Sequence, residues 1–192
     1  MGFMGFLHGS PKNSSIWICW KNGLQVELVN HMEQCINTRI YVGGVDLFFS
    51  FIYASCDISC RINLWDFLSL FLEGGLSWFV GGDFNAIADI SEKQDGSNIF
   101  NSGMQVFQSF LGSTGLLDMG FLGNKYTWCN NRRGFNRIWC LLDKCLSNIQ
   151  GFDSFGQASV MHLVHSLSDH APLHVNLKRV TDRSKSFFYS TA

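Results

Sequence analysis

Two short polar motifs, far apart in the sequence, each follow an apolar run: Gly-Asp-Phe-Asn at residues 82–85 and Ser-Asp-His at residues 168–170. If the apolar runs are strands, strand ends would carry two carboxylates, an amide and an imidazole to one place. Carboxylates can hold a divalent cation or activate water, and an amide and an imidazole can hold a phosphate group. We therefore interpret the two motifs as one candidate site for metal-assisted phosphodiester hydrolysis.

Composition limits what else the chain can be. With 192 residues, 46% of them hydrophobic, it is long enough for one domain with a sizeable core and too short for two ordinary ones. The net charge is −1 and only 15% of residues are charged, so no global positive field draws the protein onto nucleic acid. Any binding to DNA must depend on a local basic patch.

The seven cysteines are an odd set without paired Cys-x-x-Cys spacing, and most of them lie in apolar runs. This pattern predicts buried thiols in a reducing compartment. Residues 1–7 lack a basic segment, and their apolar run is too short for a signal peptide or a membrane span. We therefore expect an intracellular protein with no membrane partner, and we leave a nuclear location open.

The first third of the chain has the periodicity of strands. Apolar and polar residues alternate over residues 16–20 and again at Val26 and Leu28, and Asn22-Gly23 between them predicts a hairpin. Residues 35–42 and 47–54 continue as β-rich segments. The second of these is so apolar that both of its faces are expected to be covered, as in a central strand.

The middle of the chain predicts two helices around a buried strand. Apolar residues fall at helical spacing from Arg61 onward until Gly74-Gly75, and the strand 76–82 follows, with the first motif at its carboxyl end. A second helix is expected around residues 106–111, with Asn101 or Ser102 as its cap and Gly112 as its stop.

The last third predicts two strand pairs. Residues 126–130 and 137–146 are joined by a Gly- and Asn-containing turn, and residues 160–164 and 171–177 enclose the second motif. The mixed order of elements predicts an α/β sandwich with largely antiparallel sheets. The expected domain limits are a lead at residues 1–14, the domain at 15–178 and a polar tail at 179–192.

Several motifs occur in the order seen in the endonuclease/exonuclease/phosphatase superfamily. They are Val-Gly-Gly-Asp-Phe-Asn-Ala at 80–86, Glu-Lys at 92–93, Gly-Leu-Leu-Asp at 115–118, Tyr-Thr-Trp-Cys-Asn at 126–130, the run from Ile138 to Asp143, and Ser-Asp-His-Ala-Pro-Leu at 168–173. More narrowly, residues 15–177 resemble the apurinic-type endonuclease domain of plant LINE (non-LTR) retrotransposons. The resemblance implies a four-layer, DNase I-like α/β sandwich and Mg²⁺-dependent phosphodiester cleavage.

The resemblance assigns roles to matching residues. It implies that Asp83 orients or deprotonates the attacking water and that Asn85 holds the phosphate. Asp169 matches a metal ligand, and His170 matches a histidine that contacts the scissile phosphate. Two further residues complete the implied catalytic set: Asp143 matches the carboxylate that buttresses this histidine, and Tyr53 matches a tyrosine that reaches the phosphate.

The departures from the family pattern concern mainly the metal. The chain contains no Trp-Asn-x-Arg-Gly strand and no Glu-Thr strand end, where family members carry an Asn and a principal metal-binding Glu. In addition, Leu141 stands where an Arg is usual, and Ser55-Cys56 replaces an expected Asn or Pro. Loss of a carboxylate from a Mg²⁺ site should lower metal affinity strongly. We therefore expect an N-terminally truncated fold with weak or no activity.

The segment 131–137 is the one local basic and aromatic cluster in the sequence. A hairpin here could contact DNA, with Arg132 and Arg133 on phosphates and with Trp128 and Asn130 at its base as further substrate-binding residues. The alternative is a solvated turn, because three arginines release few counterions. Histidines at 162 and 165 suggest zinc, but their spacing puts them on opposite faces of a strand, which argues against such a site.

Two other functions stay open at this point. The absent Asn and Glu segments are also compatible with a non-catalytic remnant of a retroelement. The two opening motifs are shared with phosphatases of the superfamily, although Tyr-Thr-Trp and Glu92-Lys93 favour the nuclease branch. A sandwich without its opening strands would expose an apolar sheet edge, which predicts self-association and poor solubility.

Overall fold

A computed structural model of the protein describes residues 5–8, 16–71, 75–96, 102–165 and 168–178. The strands are β1 (Gly5–His8), β2 (Trp17–Trp20), β3 (Gln25–Met32), β4 (Cys35–Val42), β5 (Val45–Tyr53), β6 (Ser77–Asp83), β7 (Lys93–Gln94), β8 (Leu117–Asp118), β9 (Leu122–Gly123), β10 (Trp128–Cys129), β11 (Trp139–Cys140), β12 (Asp143–Ser147), β13 (Ser159–His162) and β14 (Leu173–Asn176). The helices are α1 (Ile58–Ser69), α2 (Ser102–Thr114) and α3 (Ile149–Ser154).

The largest sheet has six strands in the order β3-β4-β5-β6-β12-β8. Every neighbouring pair is antiparallel except β5 and β6, which run parallel because α1 carries the chain from one to the other. Every residue of β6 is buried, and the inner half of β5 is buried as well. The central strand predicted from the apolar run at 47–54 is therefore confirmed.

Helices α1 and α2 cover one face of this sheet. Trp65 of α1 lies at the centre of their interface, where its ring stacks on Phe110 at 4.7 Å and on Phe84 at 6.0 Å between centroids. Aromatic stacking of buried rings stabilises a core beyond the burial of area alone. Because Phe84 belongs to the first polar motif, this core fixes the backbone on which the motif lies.

A second sheet, in the order β14-β13-β9, covers the opposite face. The core between the two sheets contains Phe49, Phe51 and Phe79 from the large sheet with Val160 and Val175 from the small one, and β2 adds Ile18 to it. The described residues thus form a helix layer, a large sheet and a second sheet. The predicted α/β sandwich with mixed, largely antiparallel sheets is confirmed.

Some local predictions were wrong. The turn at Asn22-Gly23 forms, with Gly23 at a φ of +94°, but β2 pairs with β1 while β3 pairs with β4, so no hairpin joins β2 to β3. The two strands separate because Ile18 is buried in the core between the sheets, whereas β3 extends the large sheet. Helix α2 does not stop at Gly112 but continues to Thr114, and Gly115 at a φ of +63° ends it.

The structure also bears on the predicted helix starts, the burial of the cysteines and the domain limits. Helix α1 begins at Ile58 and is capped by Asp57, whose carboxylate accepts two backbone N–H groups. Helix α3 was not expected. Three of the seven free cysteines, Cys19, Cys56 and Cys60, are exposed rather than buried. Three predictions lie outside the described residues: the helix stop at Gly74, the cap at Asn101 and the tail at 179–192. The domain limit at residue 15 stays a prediction, although β1, in the predicted lead, pairs with β2.

Strand β3 forms one edge of the large sheet. Leu28 and Val29 are exposed on it, but Glu27 and a bulge between Leu28 and Asn30 interrupt the edge. Charges and bulges of this kind hinder pairing with another chain. Self-association through this edge stays a prediction. Of the helices in the described residues, none is long and apolar enough to cross a membrane.

Candidate active site

Neighbouring strands bring two buried carboxylates together. Strand β6 ends at Asp83 and β12 begins at Asp143, and the two residues are direct partners in the antiparallel register. Both are buried, with 6% and 3% of their surface exposed. Gly82 precedes Asp83 at a φ of +137°, and a Cβ on it would lie 2.0 Å from the backbone oxygen of Ile52. Only glycine fits at this position, so the first motif depends on it.

His170 joins these carboxylates from the connection between β13 and β14. Its Nδ1 lies 2.9 Å from Asp143 Oδ2, and its Nε2 lies 3.9 Å from Asp83 Oδ2. The backbone on both sides of the ring is fixed to β10, since Cys129 N–H donates to the Asp169 carbonyl and Ala171 N–H donates to the Thr127 carbonyl. With Nδ1–H donating to Asp143, the ring presents Nε2 toward Asp83. The three residues form an Asp-His-Asp line in which both carboxylates are buried and the imidazole is partly exposed.

Asn85 fixes the Asp83 carboxylate from the other side. Its backbone N–H donates to Asp83 Oδ1 at 2.8 Å, and its side-chain Nδ2 donates to Asp83 Oδ2 at 3.0 Å and to the Ala54 carbonyl at 2.8 Å. The residue has a φ of +44°, which an asparagine tolerates better than most side chains. Both protons of the amide nitrogen are therefore used within the protein, and both oxygens of Asp83 accept hydrogen bonds.

The charges of the cluster are coupled. Burial raises the pKa of Asp83 to about 6, with the charge of Asp143 acting in the same direction and the bond from Asn85 acting against it. At His170, burial lowers the pKa, but the hydrogen bond and charge of Asp143, helped by Asp83 and Asp169, outweigh it and raise the pKa overall. Near neutral pH the cluster can therefore hold a carboxylate beside a protonated imidazole.

A divalent cation could be held by part of this cluster. Among the described residues, ligand atoms of Asp83, Asp143 and His170 all lie within 4.8 Å of one another. Two buried carboxylates in one place favour a cation, because its charge offsets their repulsion. Carboxylate oxygens suit Mg²⁺, whereas an imidazole suits other metals better. The donor set thus fits Mg²⁺ through its oxygens.

Asp169, which the sequence predicts as a metal ligand, lies outside that group of three. It is exposed, and its Oδ2 accepts a hydrogen bond from the Trp128 indole nitrogen at 3.0 Å. Among the described residues, its other oxygen has no hydrogen-bond partner. Trp128 donates this bond through its indole nitrogen, and its predicted role in substrate binding stays a prediction.

Tyr53 lies at the rim of the site. It ends β5 directly beside Asp83 in the parallel register, and 51% of its surface is exposed. Its backbone N–H donates to the Gln34 carbonyl, which fixes the end of the strand. The backbone of Tyr53 is thus next to Asp83 and its side chain is half exposed, and its contact with a phosphate stays a prediction.

The predicted substrate-binding hairpin extends from the same strand that holds His170. Strands β10 and β11 pair, and Asn130 closes the loop between them by accepting the N–H groups of Arg132 and Ile138. Asn130 therefore has a structural role in the loop. Arg132 and Arg133 are exposed, and the Phe135 side chain is fully exposed at the tip.

Two supports of the site had no role assigned from the sequence. The Thr127 hydroxyl, completely buried, accepts the N–H groups of Leu142 and Asp143 at 3.0 Å and so holds the start of β12. Lys144, 2% exposed, forms an ion pair with Glu92 at 3.0 Å and donates to the Leu141 carbonyl. Thr127 belongs to the Tyr-Thr-Trp motif and Glu92 to the Glu-Lys motif, so these two motifs were the sequence features that could have indicated the supporting residues.

Comparisons with known proteins support the fold. No protein-family model matches this sequence, and no curated protein is similar to it. Solved structures do match. One is the endonuclease domain of TRAS1, a telomere-specific non-LTR retrotransposon. It superposes with a TM-score of 0.70 and 16% identity, and the match covers 92% of this chain and 81% of that one.

Other similar structures are more distant. Beta toxin from Staphylococcus aureus has a TM-score of 0.58 and 14% identity over 86% of this chain and 68% of its own. D. rerio TDP2, complexed with a single-strand DNA product, has a TM-score of 0.53 and 12% identity over 88% of this chain and 74% of its own. These proteins have DNase I-like endonuclease and phosphodiesterase folds, and at such low identity the likeness establishes that this chain shares the fold.

Proposed function

We propose that this chain is a metal-dependent phosphodiesterase domain acting on DNA, of the type carried by LINE retrotransposons, with weak turnover. The observation that carries the proposal is the line Asp143, His170 and Asp83, with its two carboxylates buried and Asn85 on the far side of Asp83. A carboxylate and an imidazole side by side, with 3.9 Å between Asp83 Oδ2 and His170 Nε2, can activate a water and stabilise the charge on a phosphodiester that bind next to them. The order of the motifs along the chain gives independent support.

Each residue has a distinct proposed task. Asp83, whose pKa of about 6 is near neutral, orients the attacking water and accepts its proton. His170, kept protonated by Asp143, offers Nε2–H to a phosphate oxygen and offsets the charge that develops there. Asn85 keeps the Asp83 carboxylate in one orientation, and it reaches the phosphate only if Nδ2 releases one of its two acceptors.

Mg²⁺ is the cofactor that we propose. When bound, it would polarise the phosphoryl oxygen and stabilise the leaving oxygen. The oxygens of Asp83 and Asp143 are the donors proposed for it. Asp169, the ligand implied by the family resemblance, lies outside that group and is proposed to join only when the metal binds. The 192 residues contain no Glu-Thr motif that would add a further carboxylate, so this 192-residue chain by itself is proposed to have low metal affinity and slow turnover.

DNA is the proposed substrate, held in part by the 131–137 hairpin. Arg132 and Arg133 are exposed on the loop after β10, the strand bridged to His170, and the exposed ring of Phe135 can contact a base or a sugar. The arginines form a local basic patch on a chain with almost no net charge. We expect modest affinity that falls with salt.

Nicking of supercoiled plasmid in Mg²⁺ tests the proposal. The wild-type protein should nick slowly, and Asp83→Ala and His170→Ala should each remove the activity, whereas Asp153→Asn on the exposed surface of α3 should leave it unchanged. Nicking no faster than in the Asp83→Ala control would overturn the proposal. Inositol phosphates and sphingolipids in parallel assays would reveal the phosphatase alternative.

A non-catalytic retroelement remnant is the second candidate. The observation that favours it is the absence of the Asn and Glu motifs from the sequence. This candidate predicts no Mg²⁺-dependent hydrolysis with any phosphodiester, together with little or no DNA binding. Activity in the 192-residue chain, abolished by Asp83→Ala, would rule it out.

A further inference from the structure

The loop from Ala54 to Asp57, between β5 and α1, lies against the first motif. Asn85 Nδ2 donates to the Ala54 carbonyl at 2.8 Å, and the Ala54 N–H donates to the Asp83 carbonyl at 2.8 Å. A shift of this loop would therefore move Asn85 and, through it, the Asp83 carboxylate. Such a connecting loop has no regular ladder of hydrogen bonds, so its position has to be fixed by other groups.

Gln34 fixes this loop from the turn between β3 and β4. Its side chain is largely buried, and its Oε1 accepts the Ser55 N–H at 2.6 Å while its Nε2 donates to the Cys60 carbonyl at 2.8 Å. One amide thus joins the loop to the first turn of α1. Its backbone carbonyl also accepts the Tyr53 N–H, so the same residue fixes the end of β5.

Arg61 fixes the loop from within α1. It is only 7% exposed, and its Nη1 donates to the carbonyls of Ser55 and Cys56 at 2.8 and 2.9 Å. Among the described residues, no carboxylate forms an ion pair with it. A guanidinium stays protonated at physiological pH, and burying one against two backbone carbonyls is costly unless those bonds are kept.

We propose that Gln34 and Arg61 are positioning residues for the active site: they hold the 54–57 loop by its amide and two carbonyls, and this loop holds Asn85 and Asp83. The inference rests on the proposed function for its catalytic consequence. Among the described residues, neither side chain forms a hydrogen bond with the Asp-His-Asp line, although Arg61 is near enough to Asp83 to interact with its charge. Their effect passes through the Ala54 backbone, which forms hydrogen bonds with Asp83 and Asn85 of the first motif.

Amide hydrogen exchange tests this chain of bonds without any need for activity. Arg61→Met should speed exchange at Ser55 and also at Ala54 and Asn85 by about tenfold, because hydrogen bonds from a charged donor are lost. Arg61→Lys, which keeps the charge and donors, should restore most of the protection. Arg39→Met, on an exposed ion pair of β4, is the matched control and should change none of these amides.

Gln34→Met repeats the test if Arg61→Met does not fold. It should speed exchange at the same amides, and Gln25→Met, an exposed glutamine on β3, is its control. Faster exchange at Ser55 with unchanged exchange at Asn85 in either variant would overturn the inference. Such a result would mean that the two side chains support the loop alone.

Nicking kinetics test the catalytic consequence. Arg61→Met should lower kcat about tenfold with little change in KM, and Arg61→Lys should recover most of it. Unchanged kcat in Arg61→Met, despite faster exchange at Asn85, would overturn the positioning role. If the wild-type protein nicks no faster than Asp83→Ala, the proposed function fails, and the exchange experiment alone decides whether the loop positions Asn85.

Discussion

The Asp-His-Asp line and the 131–137 hairpin are neighbours in space but differ in how they are held. The first is largely buried and is held by residues that are distant from one another in the sequence, such as Ala54, Asn85 and Thr127, whereas the second is exposed and is closed mainly by its own residues, such as Asn130. Groups that must meet at atomic precision are fixed by many contacts. Groups that meet a variable partner are left free to adapt. We therefore expect changes around the cluster to affect stability and chemistry together, and changes in the hairpin to affect binding alone.

The largest effect should come from the buried ion pair behind the cluster. Glu92→Ala leaves Lys144 buried and unpaired next to Asp143, and we expect a loss of about 3–5 kcal/mol in the free energy of unfolding, measured with urea. Asp46→Ala breaks the exposed pair with Arg39 and should change little. Equal losses in the two variants would remove the distinction between the buried and exposed regions.

A smaller effect, with a defined pH dependence, should come from Asp83→Asn. The folded pKa of Asp83, about 6, lies above its ordinary value of 3.8, so the folded protein binds more protons between these values and loses stability as pH rises from about 4 to about 6. The variant removes this loss. Relative to the wild type, its free energy of unfolding should rise by roughly 2–3 kcal/mol between pH 4 and pH 7.5. A difference independent of pH would contradict the coupling of charges described above.

The smallest effect on stability should come from the hairpin. Arg132→Ala with Arg133→Ala should leave the free energy of unfolding within about 0.5 kcal/mol of the wild type. The same change should reduce the slope of log affinity for duplex DNA against log salt by about 2, since two phosphate contacts are lost. Lys21→Ala, outside the hairpin, serves as the control. An unchanged slope would identify the segment as a solvated turn.

The sequence predicted the central strands of the fold better than the buried polar residues that hold the site in place. Strand β6, with the first motif at its carboxyl end, followed from a short apolar run bounded by glycines. The position of Asp143 behind His170 was implied only by the family resemblance. Gln34, Arg61 and Thr127 are polar residue types that usually lie on the surface, so hydrophobic periodicity could not show that they are buried. Their roles depend on contacts with residues distant in sequence, which only the folded chain brings together.

The turn at Asn22-Gly23 shows the same limit in another form. A local signal predicted the turn correctly, but which strands pair afterwards depends on the apolar surface that each one covers. Ile18 is held by the core between the two sheets, and this burial outweighs the short connection to β3. Local propensity thus determined the turn at Asn22-Gly23, and packing determined which strands β2 and β3 pair with.

The register that joins β6 to β12 also bears on the order of folding. Asp83 and Asp143 lie on strands separated by much of the chain, and His170 comes from a still later segment. Contacts between distant segments carry a larger entropy of loop closure and tend to form after local ones. The β5-α1-β6 unit, built from consecutive elements, can form first. During refolding, helical signal should therefore return before the cluster is assembled, so that a partly folded chain has the β5-α1-β6 unit but no place to bind a phosphate.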